Sequence, residues 1–239
     1  MRTPFKIAFV SVVAALAIAA GSVSAAAIPI SDVYCHNEKD NYTGNPGDMI
    51  NGSGMNGTAN TGDPTWPTGQ GDPSTWTATD NNYRSEWQSQ ALLDSSTSTN
   101  SKIGWAIFDL GSSADLADLY IWNERENSGR YTATFNVYVA ATPTNAVTHG
   151  PTGSTAIDYD FASGGWTLIN TAAVLTGTYQ GDRVVALNAT GQYVGVEILS
   201  NGGDPAKVGL AEVAITPEPA TLALLGIGGL VALRRRRRV

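Results

Sequence analysis

Between residues 103 and 215 the apolar side chains recur at every second position, in runs too short for helices of any length. In Thr134-Phe135-Asn136-Val137-Tyr138-Val139, Phe135, Val137 and Val139 fall on one face, and Val194, Val196 and Ile198 do the same within residues 193–199. A period of two marks a strand with one buried face, because successive side chains point to opposite sides of a sheet. Further apolar runs lie at 103–110, 116–122, 166–169, 183–187 and 208–215, with turn residues between them. Several short strands separated by turns predict an all-β sandwich. Residues 28–90 are rich in Gly, Asn, Asp, Thr and Pro, with turn clusters such as Asn51-Gly52-Ser53-Gly54, and read as loops; 141–155 reads as one long loop.

Both ends of the chain read as targeting segments. Residues 1–27 combine basic Arg2 and Lys6, an apolar run over 7–20, and small residues Ser22, Ser24, Ala25, Ala26 and Ala27. This is the pattern of a secretory signal peptide, with signal peptidase expected to cut between Ser24 and Ala27. At the other end Pro217-Glu218-Pro219 precedes an apolar stretch over 220–233 and the run Arg234, Arg235, Arg236, Arg237, Arg238. As a helix the apolar stretch reaches about 21 Å, short for a hydrocarbon core of about 30 Å, as suits a transient transmembrane anchor. The arginines hold its far end in the cytoplasm and leave Pro-Glu-Pro at the outer face of the inner membrane.

This three-part tail resembles the PEP-CTERM sorting signal. The resemblance implies recognition by an exosortase, a membrane-embedded cysteine protease, and delivery to the envelope or extracellular matrix of a Gram-negative bacterium that makes exopolysaccharide. A permanent tail anchor is the other reading, and it too places the body outside the cytoplasm. The expected organisation is a signal peptide over 1–27, a sandwich over 28–215 and a sorting signal over 216–239. About 190 residues between the two ends suit a single sandwich domain.

The formal charge of the whole chain is −7, but half of the fourteen Lys and Arg residues lie in the two end segments. Residues 28–216 hold seven basic side chains against twenty acidic ones, a formal −13. Such a body repels nucleic acid and anionic lipid, which bind through clustered Lys and Arg; neutral sugars and cations are the natural partners. The single cysteine, Cys35, leaves no intrachain disulfide, and Cys35-His36 without a second ligand pair makes no zinc pattern.

A second resemblance follows from the order of the pieces. Trp105-Ala106-Ile107-Phe108-Asp109-Leu110-Gly111, Leu119-Tyr120-Ile121-Trp122-Asn123, Arg130 ahead of Phe135-Asn136-Val137-Tyr138-Val139, Trp166, Gln192-Tyr193-Val194-Gly195-Val196-Glu197-Ile198 and Val208-Gly209-Leu210-Ala211-Glu212-Val213 stand in the order of a discoidin domain. Over residues 48–215 the chain is similar to this family, the coagulation-factor type C members of the galactose-binding-like jelly rolls. The resemblance implies a discoidin-like jelly-roll β-sandwich with ligand loops at one end. It also implies a structural calcium where the first loop meets the last strand, at Glu212 and the Ala211 carbonyl. Two loops compete as partner: Asp80, Asn82 and Ser85 in the segment 78–89, or the segment 50–55 with Asn51. Calcium takes six to eight oxygens, so either loop has to supply several.

Sugar recognition combines an aromatic ring against the pyranose face with polar side chains on the hydroxyls. Loop residues of those types are Trp66, Trp76, Tyr83, Arg84, Glu124, Arg125 and Asn127. For Arg130 a fold-internal ion pair is expected, and for Asp109 a structural turn ahead of Gly111. His36 and His149 lie in loop-rich sequence without a triad partner, and no nucleophile elbow or phosphate loop occurs. Asp158, Asp160, Glu124 and Glu126 stand in polar surroundings that predict solvated faces, unsuited to acid catalysis. The reading is a non-catalytic polysaccharide-binding protein; a structural matrix protein without a specific ligand, or a secreted glycan hydrolase, are the alternatives.

Overall fold

The computed structural model describes residues 26–38, 45–52, 55, 73–77, 86–175 and 182–219. Residues 26–217 form one compact unit. A second unit joins 1–25 with 218–239, and of it only Glu218 and Pro219 are described, both outside regular secondary structure. The apolar segments expected to form the signal peptide and the anchor helix therefore lie outside the described residues, as do Arg234 to Arg238.

Among the described residues of the first unit there are seven strands: β1 (Asp32–Cys35), β2 (Trp87–Gln88), β3 (Gly104–Asn123), β4 (Thr132–Ala140), β5 (Thr167–Val174), β6 (Asp182–Asn201) and β7 (Gly209–Pro217). All the ladders between them are antiparallel, in the order β2-β7-β3-β6-β4-β5, with β1 added against β3. The all-β class expected from the period-two runs is what the chain adopts.

Two pairs of runs merge. The runs at 103–110 and 116–122 are one strand, β3, and those at 183–187 and 193–199 are one strand, β6. The two strands pair along their length, from Gly104↔Ile198 to Trp122↔Asp182, with a register shift between Asp109 and Ala114. There Gly111 takes φ +74°, a left-handed conformation that favours glycine, and its N–H donates to Asp109 Oδ1 at 2.7 Å. Gly111, Ser112 and Ser113 are exposed, so the apolar alternation stops while the strand continues. Asp109 has the structural role expected of it.

This bend divides the pairing into two layers. The first half of β3 pairs with β1 and with the second half of β6, which also pairs with β4. The second half of β3 pairs with β7 and with the first half of β6. Inward side chains of both layers share one core: Phe108, Phe135, Val137, Val139, Val194, Val196 and Ile198 from the first, Leu119, Ile121, Val185, Leu210, Val213 and Ile215 from the second. Each fully buried aliphatic or Phe side chain stabilises the fold by roughly 1.5–3 kcal/mol, which anchors the layers without a disulfide.

The outer faces are partly covered. Trp105, Ile107 and Tyr138 lie under Tyr159 and Phe161 of the long loop before β5, and Tyr120 and Trp122 under Met55 and Trp76. Strands β1 and β2 fall in sequence expected to be loops. They are edge strands of four and two residues, held by tertiary pairing (Val33↔Phe108, Trp87↔Leu210) rather than by a pattern of their own.

Candidate functional site

The sandwich places β2, the start of β7 and the segment 124–131 together at one end. Asn123, fully buried, fixes the mouth of that segment: its Oδ1 accepts the Thr132 N–H (2.9 Å) and its Nδ2 donates to the Thr132 carbonyl (2.8 Å). The chain then folds back over β2. Glu124 Oε1 accepts the Asn127 N–H and Gln88 Nε2, both at 3.0 Å. Glu86 Oε2 accepts the Arg125 N–H at 2.7 Å. Farther out, Glu126 Oε2 is shared by Gln88 Nε2 (2.6 Å) and Arg130 Nη1 (3.0 Å), while Arg130 Nε donates to Asp204 Oδ2 at 3.2 Å. Arg130 thus makes the fold-internal ion pairs expected of it.

Glu124 departs from expectation. Read as a solvated acid from its polar neighbours, it is fully buried, and Glu86 beside it is 1% exposed. Loss of water is the main cause that pushes the Glu86 carboxyl up to about 8 and Glu124 up to about 7. The nearby Glu124 charge adds to the effect on Glu86, against the backbone N–H groups of Arg125 and Glu126 that favour its ionised form. Glu86 Oε1 and Glu124 Oε2 are buried and have no hydrogen-bond partner among the described residues. The sequence hid this pair because Glu86 and Gln88 arrive from a segment almost forty residues away. A signal was present in their flanking of Trp87, a residue buried in the main core.

The other expected ligand residues are spread over the fold. Arg125 is 9% exposed and Asn127 half-buried, its Oδ1 accepting the Gly129 N–H at 2.8 Å. Trp76 is 5% exposed and stacks on Trp122, ring centroids 5.7 Å apart, on the outer face of the second layer. Trp66, Tyr83 and Arg84 lie outside the described residues, and so do Asp80, Asn82 and Ser85.

Glu212 and Ala211 occupy a bulge of β7. Trp122 pairs with Glu212 and Asn123 with Leu210, which leaves Ala211 as the extra residue. Glu212 is fully buried, and its Oε2 accepts the Gly52 N–H at 3.0 Å. The segment holding Gly52 therefore reaches Glu212, while Asp80, Asn82 and Ser85 of the other candidate loop lie outside the described residues. Among the described residues no group of three or more His, Cys, Asp or Glu side chains is arranged to hold a metal ion.

Chemically, the end of the sandwich is a two-level construction. Glu86 and Glu124 lie too deep to meet a substrate oxygen, and exposed Glu126 with half-buried Asn127 and Arg130, tied down to buried Gln88, form a rim offering both donors and acceptors. The two histidines differ in exposure. His36 is buried and pushed down to about 4 by burial; its Nδ1 accepts the Trp105 N–H (3.1 Å) and Nε2 donates to the Ala91 carbonyl (3.0 Å). His149 is exposed and bridges Glu38 and Asp32.

No curated protein matches the chain. Among solved structures the chain is similar to CpGH89CBM32-5 from Clostridium perfringens, solved in complex with GalNAc-beta-1,3-galactose: 10% identity, TM-score 0.49, over 80% of this chain and 99% of that one. A Streptococcus pneumoniae fucose binding module aligns at 14% identity and TM-score 0.45, over 81% of this chain and 96% of that one. A fucolectin from striped bass (Morone saxatilis) serum aligns at 12% identity and TM-score 0.46, over 82% of this chain and 48% of that one. The tail gives a match of a different kind: residues 216–238 match the PEP-CTERM protein-sorting motif, whose first two residues, Thr216 and Pro217, are the last of β7.

Proposed function

We propose that the chain is an exported, non-catalytic polysaccharide-binding protein of a Gram-negative envelope or extracellular matrix. Signal peptidase and an exosortase process it, and its apolar tail holds it transiently in the inner membrane. Export rests on the sorting motif at 216–238. The observation that carries binding is the rim of Glu126, Asn127 and Arg130: Glu126 and Arg130 are tied to each other and to buried Gln88, and Asn127 to the Gly129 N–H, so their planar groups are held in place. Pre-oriented donors and acceptors suit sugar hydroxyls, because little side-chain freedom is lost on binding. The acidic body fits a neutral polysaccharide and excludes nucleic acid as a partner.

Electrophoresis of the full chain, in a non-glycosidic detergent, through native gels containing neutral galactan, glucan or mannan tests this reading. Retardation in at least one gel that Glu126→Ala reduces supports it. Unretarded migration in all three supports a structural matrix protein instead.

A calcium ion at Glu212 belongs to the same proposal. Glu212 is a buried carboxylate at a bulge, facing a Gly- and Asn-rich loop, and so offers the anionic oxygen that such an ion requires. Asp80, Asn82, Ser85 and the Ala211 carbonyl are the further donors. An ion bound only by the native state raises Tm by mass action, so EDTA should lower the melting temperature and added calcium restore it. An unchanged melt removes the ion from the proposal.

A further inference from the structure

We propose that a groove on the outer face of the first layer is a separate saccharide subsite, taking one neutral pyranose unit of a polysaccharide. The inference takes its ligand class from the polysaccharide-binding reading, but the groove shares no residue with the loop-end rim. Its volume is about 610 Å³, within the range of small-molecule sites, and Tyr138, Phe161, Trp166, Asn100 and Asn136 line it.

One side is aromatic and held rigid. Phe161 lies over Gly195, where a Cβ would come within 2.3 Å of its ring, so the glycine of β6 makes the seat for Phe161. Tyr138 stacks on Phe161 with centroids 4.8 Å apart, and Trp166 meets it edge-on at 5.0 Å. Trp166 is half-buried, and its Nε1 donates to the Tyr159 hydroxyl at 3.1 Å, which fixes the orientation of the indole. Phe161 and Tyr138 are buried, so of these rings it is the half-buried indole of Trp166 that offers a fixed face to the apolar side of a sugar ring.

The other side is polar and organised from below. Glu197, fully buried, accepts hydrogen bonds from Asn136 Nδ2 (2.8 Å), the Tyr138 hydroxyl (2.9 Å) and Asn100 Nδ2 (3.2 Å). Buried Lys102 bridges Glu197 (3.4 Å) and Asp158 (2.8 Å). With its Nδ2 committed to Glu197, Asn100 presents Oδ1 as an acceptor for a sugar hydroxyl.

The backbone supplies an independent observation. Asn100 and Ser101 are consecutive non-glycine residues with φ 60° and 58°, both exposed. Such residues are strained and persist only where the surroundings enforce them. Here Asp158 Oδ2 accepts the Thr99 N–H (2.9 Å) and hydroxyl (3.0 Å), and Lys102 Nζ donates to the Thr99 carbonyl (2.8 Å). A buried ion cluster thus pins a strained turn that sets two polar side chains at the lip of an aromatic groove. The polar floor argues against an acyl chain, and the absence of Lys or Arg at the lip against an anionic ligand.

The test uses the full chain in a non-glycosidic detergent, with the methyl glycosides of galactose, glucose and mannose titrated against amide and indole NMR shifts. Expected are shifts at Asn100, Ser101, Ala162 and the Trp166 indole for at least one sugar, and binding about tenfold weaker in Trp166→Ala. Because Trp166 also packs against neighbouring rings, Ala162→Arg is the second variant: Ala162 is an exposed lining residue, and the new side chain fills the groove without removing a buried contact. Ala162→Arg should retain the native melting temperature and lose the same binding. Shifts confined to Gln88, Asn127 and Arg130, with Ala162→Arg unaffected, overturn the groove and leave the loop-end reading intact. No shift with any of the three sugars overturns the groove; if polysaccharide gels also fail to retard the native chain, the binding reading falls with it.

Discussion

Replacing Glu86 by Gln should stabilise the protein by an amount that grows as pH rises from about 4.5 to about 8. The Glu86 carboxyl is 1% exposed and is raised from an ordinary 4.5 to about 8, first by loss of water and further by the Glu124 charge. The folded state therefore retains a proton that the unfolded chain releases, and stability declines as pH rises from the unfolded toward the folded pKa. Between about pH 6 and about pH 8 the loss attributable to Glu86 is roughly 2 kcal/mol, at about 1.4 kcal/mol per pKa unit. Glutamine imitates the protonated acid: its carbonyl can accept the Arg125 N–H that Glu86 Oε2 accepts at 2.7 Å, and its amide replaces the O–H. For a domain of this size, 2 kcal/mol corresponds to about 4–8 °C in Tm. The difference in Tm between native and Glu86→Gln chains should widen by that amount from the acidic to the alkaline end of this range, and the two should converge only at about pH 4, where the unfolded carboxyl is protonated as well. Parallel declines in both proteins would refute the assignment. If Glu124→Gln alone flattened the curve, the proton would belong to Glu124, whose carboxyl is also raised, to about 7.

The acidic limb should have a different origin. His36, pushed down to about 4 by burial, stays neutral in the fold while the unfolded chain protonates near 6.5, so about 3 kcal/mol should be lost as pH falls between these values. Melts of Glu86→Gln should keep this limb, and the His36 ring signals should not titrate above about pH 5. Gly195→Ala should cost about 1–3 kcal/mol by overpacking, since its Cβ would lie 2.3 Å from the Phe161 ring; denaturant midpoints read the loss, and Phe161→Leu in the same chain should recover part of it. Additive losses in that double variant would show that Phe161 is not what the new methyl group meets.

How far the sequence discloses this fold depends on where each pattern is local. Strand β4 is legible because one face carries Phe135, Val137 and Val139 and the other Asn136 and Tyr138; the buried run of β6 is legible for the same reason. The unity of β3 is not, because Gly111 to Ser113 are exposed where the strand bends and no alternation marks its continuation. Strands β1 and β2 are too short to carry a period and exist because β3 and β7 provide edges for them. At the loop end, Glu124, Arg125 and Asn127 were identifiable by type, but burial inverted the expected environment of Glu124: its neighbours in sequence are polar, whereas in space β2 closes over it. Trp76 shows the converse, a loop tryptophan whose ring is taken up by Trp122.

The bend in β3 and β6 explains why local reading fails most at the sites. Both strands run through both layers, so each layer receives side chains from segments far apart in the sequence. Glu197 lies on the second half of β6 and reaches Asn100, Asn136 and Lys102, between 61 and 97 residues away for the two asparagines. Glu212 lies on β7, beside the other half of β3, and meets Gly52 across 160 residues. Neither constellation leaves a spacing in the sequence, because its members are joined by the layer geometry rather than by a helix turn or a hairpin. In the same geometry, the inward half of each alternation supports the core, while outward residues such as Asn136, Tyr138 and Trp122 are released from packing between the layers. On the proposed reading, recognition surfaces would arise from the outward set and its covering loops, and changes there would alter ligand choice at little cost to the core that holds the two layers together.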